Sequence, residues 1–488
     1  MTQTSTTYLT WLLGIAVVLL VFWSGVREGL PRFVRYWYSR NIVKGPSSFV
    51  HALHTSKKQQ IVRLGSNEFS VTDPELIPVI YGDKSFLKSE QYAAFDVNGE
   101  ASIFSMRDPV EHQRRVKAVR NMFKGPEVAR QGHIMAHTIN RAIECLENAS
   151  TGAEIDVLAL MRGYAVETTS IFALGIRYLE QEGLSTYEVG TKFGRVLDDI
   201  NHSAKFGRSV AWPVKQYEAL VIKLQPLWDL LQGSTVRVKH ENLALKTAYE
   251  SHTKFCQDLC TTTPEHDVPY KLRLELLDLS EAALETEISD LLFAGTDSSA
   301  TTLSTALWHL YNNPSILQAL RDDLEYVDDE QLVSRPYLAA VLDESLRVAQ
   351  PVPRRLPRVI AGTGLIYAED KHNDDWHKIL PAGATVGMSA YSLHRDPSFE
   401  DPQRFNPARW LTTDEAKLRR MRQCLIPFGR GHRACIGQEL ARSEIRLMLR
   451  HVVTHYDGIA QGSAPEYVDN FNASILGSRV MVRLSSRA

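Results

Sequence analysis

The chain has 488 residues, with 55 Lys and Arg against 57 Asp and Glu, so its formal charge is −2. At 44% hydrophobic and 23% charged residues it has the composition of a folded protein with a large core, not of a disordered or collagenous chain. The near-neutral balance, with no dense basic stripe beyond the N-terminus, argues against nucleic-acid binding, and five scattered cysteines argue against a disulfide framework or a CxxC zinc site.

The first feature is an uncharged run from Tyr8 to Val26, YLTWLLGIAVVLLVFWSGV. Roughly 20 apolar residues at ~1.5 Å each span a bilayer core. The basic start of a signal peptide is missing. Arg27, Arg32, Arg35, Arg40 and Lys44 come after the run instead. The positive-inside rule then makes 8–26 a transmembrane helix, with 1–7 across the membrane, 27–46 a basic linker and 47–488 one cytosolic domain.

Within that domain, Ile61 to Asp73 alternates and carries turn residues, which predicts a strand pair. Helical periodicity dominates from Pro109 to about Ser345 and stops at Pro351, Pro353 and Pro357. A short β-rich stretch follows, then an irregular Pro-rich segment near Asp396–Trp410, then a helix from about Gly437. The expected fold class is mainly α with small β-sheets (α+β), behind one N-terminal transmembrane helix.

Residues 427–441 read PFGRGHRACIGQELA. Cys435 sits between glycines, beside arginines and just before a helical run. A helix N-terminus and nearby cations lower a thiol's pKa, so a thiolate ligand is expected. Gly429, Gly431 and Gly437 permit tight turns and the approach of a flat ligand. Arg433 can donate two hydrogen bonds to a carboxylate, and Phe428 can pack beside the sulfur. One His432 beside one cysteine makes no zinc set. Upstream, Ala294-Gly-Thr-Asp-Ser-Ser299 lies inside a helical pattern from about Glu285 to Tyr311. Its hydroxyls can bond preceding carbonyls, bending the helix and opening it locally. Glu344 and Arg347 are spaced i, i+3 on one helix face.

Phe428-x-x-Gly431-x-Arg433-x-Cys435-x-Gly437, with Ala441 following, matches the cysteine-loop signature of the cytochrome P-450 family, which the chain resembles over roughly residues 45–485. Glu344-Ser-Leu-Arg347 resembles the family's Glu-x-x-Arg. Pro407-Ala408-Arg409-Trp410 resembles the segment whose arginine completes a Glu-Arg-Arg network; Arg409 is the expected third member, and Arg404 is its rival. Ala294–Ser299 resembles the oxygen-activation motif, with Asp297 and Ser298 as the acid–alcohol pair that passes protons to dioxygen. The usual alcohol is threonine; serine keeps the hydroxyl and loses the methyl that restricts rotation. Asp108–Phe123 resembles the helix that contacts a haem propionate. His112 fits, but Val116 stands where a basic residue is expected, which leaves Lys117 or Arg114. Arg355 is the expected second propionate arginine, with Arg354 and Arg358 as alternatives. Asp73–Gly82 and Phe86–Ser89 are similar to fungal members of the pisatin demethylase-like group.

The resemblance implies haem b with Cys435 as axial ligand, and a monooxygenase that inserts one atom of O2 into a substrate. The chain shows no Gly-x-Gly-x-x-Gly fingerprint, so electrons would come from a separate NADPH-dependent flavoprotein reductase docking where Arg430, His432 and Arg433 cluster. Substrate contacts are expected around Tyr92–Ile103, Phe293, Ala294, Val352 and Asn472–Leu476. These segments are mostly apolar, so the substrate is a hydrophobic small molecule, in line with fungal secondary metabolism or detoxification. The location implied is the endoplasmic reticulum membrane. Two other readings stay open: a haem-thiolate isomerase, dehydratase or NO reductase that uses no O2, and a non-catalytic membrane haem protein.

Overall fold

The computed structural model describes residues 46–207 and 273–487, apart from residues 98, 150–151, 176–182, 276 and 369–376. The apolar run 8–26 and the linker up to residue 45 lie outside the described residues. One described helix, Val157–Leu174, is long and apolar enough to cross a membrane, but it is 94% buried inside the protein. It is a core helix.

The principal helices are α1 (Pro46–Lys57), α2 (Pro109–Val119), α3 (Gly132–Glu147), α4 (Val157–Leu174), α5 (Thr186–Gly207), α6 (Glu281–Tyr311), α7 (Pro314–Asp323), α8 (Pro336–Ala349), α9 (Glu415–Cys424) and α10 (Gln438–His455). Their starts follow from local chemistry. Asp108 caps α2 by accepting from the Val110 and Glu111 amides, and Ser280 caps α6 by accepting from Ala283. Proline opens α2, α7 and α8, where its missing N–H costs nothing.

Among the described residues, four small sheets flank the helices. The largest has the order β1 (Ile61–Gly65), β2 (Glu68–Val71), β8 (Thr385–Met388), β5 (Arg358–Val359), β3 (Leu87–Lys88). The expected strand pair is β1–β2, antiparallel from Ile61 opposite Val71. The strand β12 (Met481–Ser486) lies between β4 (Glu154–Asp156) and β9 (Tyr456–Ala460). The pairs β10–β11 (Tyr467–Asn470, Asn472–Ile475) and β6–β7 (Leu365–Ala368, His377–Leu380) stand apart.

The central helix is α6. Leu303, Ala306, Leu307 and Leu310 on it pack with Leu158 and Met161 of α4, Val341 and Leu342 of α8, and Ile445, Met448 and Leu449 of α10. Each such side chain, fully buried, contributes about 1.5–3 kcal/mol. That cluster fixes α6 and α10 side by side, and the site forms between the middle of α6 and the N-terminal half of α10. Sequence periodicity missed α9, whose surface is mostly charged, and placed the start of α6 four residues late.

Candidate active site

Residues 427–437 form a compact loop ahead of α10. The Cys435 amide donates to the Phe428 carbonyl at 2.8 Å, and the Ala434 amide to Gly431 at 3.1 Å. Gly431 has φ +74°, and a side chain there would collide with the Tyr81 carbonyl, 1.7 Å from an ideal Cβ. The loop is therefore seated directly on residues 81–82. Gly437 has φ −85°, so it is not needed for a left-handed turn. A Cβ there would meet nothing within 4 Å, and its amide donates to the Cys435 sulfur.

The sulfur opens onto a cavity of about 980 Å³. Protein surrounds it closely, and desolvation pushes the thiol up, with the Gly437 amide pulling the other way. The expected depression by neighbouring cations is absent from the protein alone. Arg433 instead turns into the cavity and donates to the Met106 carbonyl at 2.8 Å. Phe428 also lines the cavity, with the Arg442 guanidinium 5.4 Å from its ring centroid.

Ala294, Gly295, Ser298, Ser299 and Thr302 of α6 line the same cavity. The hydroxyls bond back as expected: Thr296 to Leu292 O at 2.6 Å, Ser298 to Ala294 O at 2.7 Å, Thr302 to Ser298 O at 2.8 Å. The helix nonetheless runs unbroken through the motif. The missing side chain of Gly295 lets Thr169 of α4 pack against the helix there, and no local opening forms. Asp297 is not on the cavity wall. It is 2% exposed and accepts from Arg162 of α4 at 3.0 Å, and Arg162 also holds Asp198 of α5 at 2.8 Å. Residue 297 is turned about 100° from residue 298 around the helix, so only one member of the expected pair faces inward.

A second acid does face inward. Glu444 of α10 lines the cavity, 2% exposed, and accepts from Ser299. Burial raises its carboxyl to about 8, so it is protonated at neutral pH. Sequence reading passed over it as one more polar residue of an amphipathic helix.

One edge of the cavity is cationic. Lys88, His112, Arg358 and Arg433 line it with the Tyr92 ring. The Arg358 guanidinium donates to the Tyr92 hydroxyl at 3.2 Å, and its Nε and the Arg433 Nη2 have no hydrogen-bond partner among the described residues. Burial, with Arg358 close by, lowers Arg433 to about 10. Burial and the same cations lower His112 to about 3 and drive Lys88 far down. Lys88 donates to the Phe104 carbonyl and lies 4.2 Å from the Tyr92 ring centroid.

Three sequence expectations are corrected at this edge. Arg355 points away from the cavity, pairing with Glu68 and the Phe69 carbonyl. Side chains alternate along this extended stretch, so 354, 356 and 358 face the cavity and 355 does not. Arg354 is spoken for by Asp469 at 2.7 Å, which leaves Arg358 as the cavity's arginine. Lys117 is exposed and does not line the cavity. From His112, i+4 stays on the same face of α2, whereas i+5 turns about 140° away. Arg114 is paired with Glu111 at 2.7 Å on the outer side. Lys88 and Tyr92, more than 300 residues from the cysteine loop, were not foreseen as part of the edge; a lone lysine inside the short strand β3 was the available signal.

Outside the cavity, Glu344 is completely buried and accepts five hydrogen bonds. These come from Arg347 Nε (2.8 Å) and Nη2 (2.9 Å), Asn406 N (2.7 Å), Arg409 Nε (3.1 Å) and Trp410 Nε1 (3.0 Å). Arg347 and Arg409 extend the network to the carbonyls of His394, Glu400, Asp401, Pro402 and Arg404. The Arg404 side chain is exposed and only its carbonyl takes part. Arg409 is the third member.

These features fit a flat, dianionic, metal-bearing cofactor. A sulfur stands on one wall, small and hydroxyl-bearing residues line α6, and unpaired guanidinium nitrogens wait where two carboxylates would lie. The fold and site define a haem-thiolate protein. Comparison with known families agrees: the cytochrome P450 family model matches residues 37–480, and the chain belongs to that family. Its relatives include the cytochrome P450 monooxygenase hkm5 of Aspergillus hancockii, 26% identical over 83% of this chain and 78% of the relative. The N-acetyltryptophan 6-hydroxylase of Emericella nidulans is 26% identical over 84% and 80%. The fusicoccadiene C-8 hydroxylase of Phomopsis amygdali is 27% identical over 80% and 75%. The chain is accordingly an oxidoreductase, a haem-dependent monooxygenase that takes O2, a small-molecule substrate and electrons from a redox partner.

Proposed function

We propose that Cys435 is the axial ligand and that this chain hydroxylates a hydrophobic metabolite of fungal secondary metabolism. The observation that carries this is the Cys435 sulfur opening onto a largely apolar cavity that the Gly295–Ser298 face of α6 also lines. When bound, haem supplies oxygen activation, which a thiolate ligand favours by donating electron density. Arg433, Arg358, His112, Lys88 and Tyr92 hold the propionates. Phe428 shields the sulfur, and the Gly437 amide bonds it. Ser298 presents its hydroxyl to the cavity. Asp297, tied to Arg162 and Asp198, is a positioning residue that acts from behind the wall.

Phe95, Phe104 and Phe471 make an aromatic end to the cavity, with ring centroids 4.4 Å apart for Phe95–Phe471 and 5.2 Å for Phe95–Phe104. That end suits an aromatic or terpenoid skeleton, and two relatives are named as hydroxylases of N-acetyltryptophan and of fusicoccadiene. His432 and Arg433 line the cavity, so they do not form the expected docking face. Exposed Arg419 and Arg422 of α9, with Arg430, supply a basic surface next to the loop instead. An NADPH-dependent flavoprotein reductase docks there. Tyr8–Val26 anchors the chain in the endoplasmic reticulum membrane beside that reductase, with 27–46 as linker and 47–488 as catalytic domain.

The test is Cys435→Ala. The variant should lose the red-shifted carbon monoxide band of thiolate-ligated haem, and a normal band would refute the assignment.

A further inference from the structure

Many hydroxyls buried in these helices bond the carbonyl four residues back. Thr168 of α4 does so to Tyr164 at 2.9 Å, and Ser170 to Val166 at 2.6 Å. Thr169, between them, does not. It is 1% exposed, it lines the cavity, and its Oγ1 has no hydrogen-bond partner among the described residues. The hydroxyl is turned out of its own helix and into the seam between α4 and α6. There it lies against Gly295, 2.6 Å from where a Cβ on that residue would stand. Only glycine at 295 admits it. Gly295, Ser298 and Ser299 share the cavity face of α6, so Thr169 adds a hydroxyl to that face from the opposing helix.

We propose that Thr169 is a proton-relay residue of this enzyme, holding a water on the cavity side of its hydroxyl and working with Ser298 to pass protons into the cavity. An unpaired buried hydroxyl costs about 1–3 kcal/mol, and a water with further polar partners removes that cost. The inference rests on the monooxygenase reading, whose chemistry consumes two protons per turnover. Ser298 donates to Ala294 O, which leaves it mainly acceptor capacity. Thr169 has both a donor and an acceptor uncommitted. Each hop is balanced: Oγ1 takes a proton from the water as it gives its own onward, and that water takes one from bulk solvent, so side chain and water both end as they began. Here the serine that replaces the usual threonine in the motif is supplemented from α4.

The test uses the full-length protein with haem and a reductase, in wild-type, Thr169→Val, Thr169→Ser and Gly295→Ala forms. High-resolution crystal structures should show a water within hydrogen-bond distance of Thr169 Oγ1 in the wild type, retained with serine and lost with valine. Without substrate, the NADPH-to-O2 stoichiometry should fall in Thr169→Val toward the one-to-one value of pure peroxide release. The solvent isotope effect on NADPH consumption should change with it, Thr169→Ser should restore both, and Gly295→Ala should follow valine. A wild-type structure with no water at Thr169 overturns the proposal. So does a valine variant whose stoichiometry and isotope effect both match the wild type. Failure of the underlying reading would look different: a wild-type protein without the thiolate carbon monoxide band.

Discussion

The Glu344 network makes the sharpest stability prediction. Glu344→Ala strips the carboxylate partner from buried Arg347 and Arg409 and orphans the Asn406 amide and the Trp410 indole N–H. Breaking a buried pair by removing one side costs about 3–5 kcal/mol, and each orphaned donor adds about 1–3 kcal/mol. The sum reaches at least about 5 kcal/mol, against a typical total of about 5–15 kcal/mol. Glu344→Ala should therefore yield little folded, haem-containing protein. Arg409→Ala leaves Glu344 with four of its five donors and should cost about 3 kcal/mol, the low end of the range for a broken buried pair. Arg404→Ala removes an exposed side chain and should stay within about 0.5 kcal/mol of wild type. Urea unfolding of the three variants, followed by tryptophan fluorescence and haem absorbance, gives the ranking. Wild-type haem content in Glu344→Ala, or equal losses in Arg404→Ala and Arg409→Ala, would refute the reasoning.

Two further outcomes are expected. Arg358→Ala should weaken haem retention while Arg355→Ala leaves it near wild type, as measured by transfer of haem to apomyoglobin; the reverse order would put the wrong arginine at the cavity edge. Glu444, raised to about 8 from 4.5, binds more protons folded than unfolded between those values, so its contribution to stability falls as pH rises through that window. Glu444→Gln removes the penalty, which grows by about 1.4 kcal/mol per pH unit and reaches up to about 3 kcal/mol at pH 7. The stability difference between variant and wild type should widen from pH 5.5 to 8, and a constant difference would sink the argument.

The proposed iron ligand Cys435 and the Glu344–Arg347–Arg409 set could be read because their chemistry is local. A glycine-bracketed cysteine ahead of a helix and an i, i+3 charge pair carry their spacing on the sequence itself. The arginine at the cavity edge was named only as an alternative to Arg355: the alternation of 354, 356 and 358 depends on where β5 enters the sheet, and three arginines in five positions hide the phase. Lys117 failed to a helical rotation of one residue. The orientation of Asp297 was unreadable because Arg162 and Asp198, which hold it, come from two other helices 135 and 99 positions away. The same holds for Thr169, an ordinary helix threonine until α6 is laid beside it.

The cationic edge has a consequence for how the protein is made in a cell. Lys88, His112 and Arg433 are gathered beside Arg358, where burial and the neighbouring cations work against their charges. A dianionic ligand relieves that repulsion only in the native state, so it acts on the folding equilibrium itself, by about 4 kcal/mol at a thousand times its dissociation constant. Cofactor supply, more than chain synthesis, would then set the yield of this protein. Heterologous hosts given a haem precursor should accumulate it, and starved hosts should degrade it.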